Sequence, residues 1–126
     1  MSMRTPLGKV RGLGSAKDGT EHFWHQRLTA VANIPLVLIG LYLVISLVGA
    51  PYAEVNQRLS SPLTAVFLFL FSFSVLAHMR LGMQVVIEDY VHGEFNKVLL
   101  IMLNTFFVMF TGALILFAIF KLAFGS

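Results

Sequence analysis

"LTAVFLFLFSFSVLAHMRLGMQVVIEDYVHGE", residues 63–94, decides the fold. Residues 63–79 carry no formal charge, and the apolar pattern runs on past Arg80 to Ile87. A helix of about 20 apolar residues crosses the roughly 30 Å hydrocarbon layer of a bilayer. The stretch therefore reads as a transmembrane helix that has taken in His78 and Arg80 and ends on Glu88, Asp89 and Tyr90. Ionisable side chains are expensive in lipid and mark function or partners.

Two more blocks extend the same reading. Residues 30–49, "AVANIPLVLIGLYLVISLVG", and 98–120, "VLLIMLNTFFVMFTGALILFAIF", are uncharged. The sequence predicts an all-α membrane protein with three transmembrane helices, at about 30–49, 63–88 and 98–121. Pro35 falls near the start of the first block, where a missing N–H does least harm. Composition agrees: the 126-residue chain is 57% hydrophobic and 12% charged, against about 25% charged in soluble domains. Residues 1–27 are expected to form a water-facing tail, irregular through "GKVRGLGSAKDGT", and residues 28–122 the anchor domain.

Charge sets the orientation. Arg4, Lys9, Arg11, Lys17 and Arg27 share one side with Lys97, while Arg58 and Lys121 lie on the other. The positive-inside rule places the N-terminus in the cytoplasm and the C-terminus in the periplasm. With most basic residues before position 28, the net charge of +3 reads as a membrane-orienting end, not a nucleic-acid surface. Residues 1–20 lack the apolar core of a signal peptide. A chain starting at Met1 with that beginning is expected to be bacterial and to sit in the inner (plasma) membrane. It has no cysteine, so it offers no disulfide and no thiolate for an iron–sulfur cluster.

On a helix, His78 and Asp89 are eleven residues apart, about three turns and roughly 16 Å along the axis. That spacing returns to nearly the same face, with Gly82 and Val85 between them. The stripe suggests a flat recess at Gly82 beside an inward imidazole, where a planar macrocycle could lie. Neutral imidazole is a common axial ligand of haem iron. The alternative is a histidine bonded to a backbone carbonyl of a neighbouring helix. Arg80 faces another direction, as an interfacial anchor or a partner for a propionate or carboxylate. Asp89 and Tyr90 stand at the water boundary, where Tyr90 belongs either to an aromatic belt or to a quinone site needing protons. Arg27 is a candidate counter-ion for a propionate or a headgroup phosphate. His22, His25 and His92 read as solvated loop residues.

The pattern H-x10-D-Y, formed by His78, Asp89 and Tyr90 with "GMQV" between, resembles the D-type hydrophobic membrane anchor of succinate dehydrogenase, respiratory complex II. "QRLTAVANIPL" (26–36) and "GLGSAKDGTEHFWHQR" (12–27) are similar to that family's amino-terminal segment in mitochondria-related bacteria. The resemblance implies that His78 is an axial ligand of haem b, hence of its iron. It implies Asp89 and Tyr90 at the ubiquinone site, Trp24 at the mouth of that site and Arg27 on a haem propionate. It further implies a non-catalytic anchor that works with a flavoprotein subunit holding FAD, an iron–sulfur subunit holding the Fe–S clusters, and a sister cytochrome b-type anchor sharing the haem. Ubiquinone is then a substrate, and membrane lipid covers the rest.

Two readings from other classes remain beside it. A small multidrug-type transporter would use four spans and a glutamate inside one, whereas Glu21, Glu54, Glu88 and Glu94 all fall outside the apolar blocks. A structural or assembly subunit without cofactor would use His78 for a helix–helix hydrogen bond.

Overall fold

The computed structural model describes residues 5–12 and 18–125. Five helices follow in order: α1 (Pro6–Val10), α2 (Asp18–Ser46), α3 (Tyr52–Leu59), α4 (Pro62–Tyr90) and α5 (Glu94–Phe124). Three of them, α2, α4 and α5, are long and apolar enough to span a membrane.

The helix ends follow from local chemistry. At the α4 start, Ser61 accepts from the Thr64 backbone N–H at 3.3 Å and Pro62 takes the first turn. That hydroxyl satisfies a donor with no intrahelical partner, and proline there gives up an N–H that had none. α2 closes through i→i+3 bonds, Leu47 N to Val44 O at 3.1 Å and Val48 N to Ile45 O at 3.2 Å. Gly49 then turns the chain at φ 77°, in the left-handed region where a side chain is strained. Val91–Gly93 is the short break between α4 and α5.

Three expectations are corrected. α2 begins at Asp18, so the end of the stretch expected to be irregular and the membrane mouth that follows it to Arg27 are one helix with the first span, and α1 adds a turn within the tail; residues 1–4 and 13–17, with Arg4 and Lys17, lie outside the described residues. Residues 20–34 hold no glycine or proline, so nothing stops the helix where its apolar run ends. Pro35 consequently sits well inside α2 and removes the bond to the Val31 carbonyl. The first connection also contains α3, an amphipathic piece with Glu54 and Arg58 paired at 3.2 Å.

α4 is the middle of the layer. It packs against α2 on one side and α5 on the other, and those two do not touch among the described residues. Small residues allow close approach, as in other membrane helix pairs. A Cβ on Gly40 would stand 3.6 Å from the Phe71 ring, and one on Gly112 would stand 3.4 Å from Leu76 Cδ1. Phe67 and Phe71 stack at 5.7 Å on the α2 side. Ile87 and Ser74 are the only described residues classed as buried. A water-soluble fold cannot leave its apolar side chains so exposed. Lipid, or lipid together with other chains, must cover this one.

Candidate functional site at the α2–α4 seam

α2 and α4 run antiparallel, with Gln26 beside Gly82 and Gly40 beside Phe67 and Phe71. Between these contacts, Thr29 reaches His78. The Thr29 Oγ1 to His78 Nδ1 distance is 3.1 Å. Thr29 Oγ1 also lies 2.9 Å from the His25 carbonyl and 3.1 Å from the Gln26 carbonyl. His78 is half-buried, and Nδ1 is its only hydrogen-bonding ring atom among the described residues.

The Gly82 recess is not open. The Gln26 amide nitrogen stands 3.2 Å from where a Gly82 Cβ would be, so helix–helix contact fills that space. The stripe itself divides. His78 and Gly82 are half-buried, while Val85 and Asp89 are exposed.

The polar residues of α2 at positions 22, 26, 29 and 33 recur at the spacing of one helical face. All four are half-buried. His22 Nε2, Gln26 Oε1 and Asn33 Oδ1 have no partner among the described residues, and neither does Ser74 Oγ of α4. His22 and His25 thus sit on a helix and not in a solvated loop, although His25 is exposed. His92 is exposed in the α4–α5 connection, its Nδ1 3.1 Å from the Tyr90 carbonyl. The polar spacing on α2 was the sequence signal for Thr29, the seam residue not singled out from sequence.

The other expected residues gather at the same end of the layer without touching His78. Tyr90 is 77% exposed and Trp24 64%. Asp89 is exposed at the last turn of α4. Arg27 lies over the Phe23 ring at 4.3 Å, and Phe23 meets Trp24 edge-on at 6.2 Å. The only ion pair among the described residues is Arg58–Glu54, so Arg27 keeps its guanidinium available. Arg80 is exposed, and its carbonyl accepts from Asn104 Nδ2 of α5 at 3.0 Å.

This donor set suits a metal that brings its own ligands. Among the described residues no three His, Asp or Glu side chains converge. An imidazole tied through Nδ1 leaves Nε2 without a partner among the described residues, and such a nitrogen is the kind of ligand that haem iron takes from a protein. Arg27 is a suitable counter-charge for a carboxylate of such a group.

Residues 1–120 match the family described as "Succinate dehydrogenase/Fumarate reductase transmembrane subunit". The chain is 31% identical over 119 residues to the succinate dehydrogenase hydrophobic membrane anchor subunit of Paracoccus denitrificans, covering 94% of this chain and 89% of that one. It is 34% identical over 110 residues to the corresponding subunit of Rickettsia bellii (strain RML369-C), covering 84% and 86%. It is 33% identical over 90 residues to the succinate dehydrogenase membrane anchor subunit of Reclinomonas americana, covering 69% and 75%. A multidrug-type exporter has no support from these relatives. Three spanning helices, a match along most of the length and relatives of one kind lead to a single conclusion: the chain belongs to the succinate dehydrogenase/fumarate reductase transmembrane-subunit family, among its hydrophobic membrane anchors.

Proposed function

We propose that this chain is a non-catalytic anchor of a succinate:quinone oxidoreductase in a bacterial inner membrane. In this reading His78 would hold the iron of haem b, and the chain would line part of the ubiquinone-reduction site. The observation that carries the haem assignment is the half-buried imidazole held at Nδ1 by Thr29 on the neighbouring helix. Haem b, when bound, supplies a one-electron redox centre within the membrane layer. Arg27 would balance a propionate, and a sister cytochrome b-type anchor would supply the second axial ligand.

Succinate oxidation belongs to a flavoprotein subunit with FAD, and electron delivery to the membrane face belongs to an iron–sulfur subunit. This chain, without cysteine, provides no cluster ligand. Its own contribution to quinone chemistry is at the end of α4. Reducing ubiquinone takes two electrons and two protons, so the site must meet water. Tyr90 would donate a hydrogen bond to a quinone carbonyl oxygen, and Asp89 would orient that donor or pass protons to it. The exposure of Tyr90 and Trp24 supports a pocket completed by other subunits. The basic tail side fits the cytoplasm, where the succinate-oxidising subunits would dock.

The Thr29–His78 bond also suits a cofactor-free structural anchor, and one experiment separates the two. The complex purified with its partners should show a reduced-minus-oxidised b-type spectrum, and His78→Ala should abolish it. A native complex with no b-type spectrum would leave the structural role.

A further inference from the structure

The Thr29 hydroxyl has one proton and three neighbours: the carbonyls of His25 at 2.9 Å and Gln26 at 3.1 Å, and His78 Nδ1 at 3.1 Å. The carbonyls can only accept. If the hydroxyl proton goes to them, the usual arrangement for threonine inside a helix, its oxygen lone pair is left facing the imidazole. Nδ1 must then carry the ring proton, and Nε2 presents its lone pair. In the opposite arrangement Thr29 would donate to Nδ1, and the proton would sit on Nε2. That N–H would have no acceptor among the described residues. Within a membrane-spanning segment no bulk water is at hand to accept from such a donor, so that arrangement is the costlier one.

We infer that Thr29 is a positioning residue for His78: its hydroxyl holds the imidazole in the Nδ1–H form and fixes the ring so that Nε2 is free for iron. The inference rests on the proposed haem ligation and deepens it. Bonding to the helix carbonyls polarises the hydroxyl oxygen and makes it a better acceptor. An accepted Nδ1–H bond makes Nε2 a more basic ligand, as partners of metal-bound histidines generally do. A more basic ligand favours the ferric over the ferrous state. The ligand is therefore set by two helices together: α4 carries the imidazole and α2 decides its tautomer. Thr29 does this from the first span, two residues beyond Arg27, so one short stretch of α2 would serve both the ligand and the propionate.

The test uses the assembled complex. Thr29→Val keeps the shape and removes the acceptor. Thr29→Ser keeps the hydroxyl, and Thr29→Ala removes it from nearly the same small side chain. Haem retention against an apo-globin scavenger and the haem midpoint potential are measured in each. The Val and Ala variants should lose haem roughly 10–100-fold faster and show a more positive potential. The Ser variant should behave as the native protein. If Val does not assemble, the Ser–Ala comparison isolates the hydroxyl. Native retention and potential in an assembled Val or Ala variant, with haem lost in His78→Ala, overturns the role of Thr29. Haem kept at native content in His78→Ala overturns the ligand reading itself.

Discussion

Gln26 of α2 lies against Gly82 of α4 so closely that a Cβ on Gly82 would come within 3.2 Å of its amide nitrogen. This contact is four residues from His78 on α4 and three from Thr29 on α2, so it sets the helix separation that lets those two meet. Gly82→Ala asks only the far end of a flexible side chain to shift by a few tenths of an ångström, and haem content should stay near native. Gly82→Leu cannot be absorbed that way. Overpacking of this kind costs about 1–3 kcal/mol, and here it would be relieved by moving α2 away from α4. The Leu variant should assemble with most of its haem missing, measured as haem per flavin in the purified complex. Native haem content in Gly82→Leu would show that the seam does not control the ligand.

Tyr90 offers a narrower change. It is largely exposed at the last turn of α4, so deleting its hydroxyl disturbs no packing within this chain. Tyr90→Phe should lower succinate–quinone reductase activity by roughly tenfold or more, while succinate oxidation by an artificial dye stays at the native rate. Haem content should also be unchanged, because Tyr90 is twelve residues from His78, about 18 Å along the helix. Native quinone-reductase activity in the variant would reduce Tyr90 to an interfacial aromatic.

The sequence made some of this readable and hid the rest for physical reasons. α4 is legible because an apolar run of spanning length begins at a Ser-Pro cap and ends before a glycine. The start of α2 is not, because "TEHFWHQR" is polar and looks like a membrane mouth. It stays helical because no breaker interrupts it, and His22, Gln26 and Thr29 lie half-buried along it. α3 is too short for a periodic signal. Gly82 was visible as a small residue beside the histidine, but whether the gap stayed open depended on the facing helix. The Thr29–His78 pair joins residues 49 apart, and its register follows from glycine contacts that no local pattern reveals. The spacing of positions 22, 26, 29 and 33 marks Thr29 as part of a polar face, but only the facing helix supplies His78 as its partner.

Orientation can be read chemically, because the chain has no cysteine and any introduced thiol is the only one it carries. Asn56 on α3 and His92 in the α4–α5 connection are both exposed and flank α4 at opposite ends. By the positive-inside rule, the excess of Lys and Arg on the side of the N-terminal segment and Lys97 predicts His92 in the cytoplasm and Asn56 outside. In intact spheroplasts, a membrane-impermeant maleimide should label Asn56→Cys and leave His92→Cys unlabelled until the membrane is permeabilised. The reverse pattern would put Asp89 and Tyr90 on the outer face, away from the side where the proposed succinate-oxidising partners would dock. A quinone site at the end of α4 would then be untenable even if His78 still bound haem.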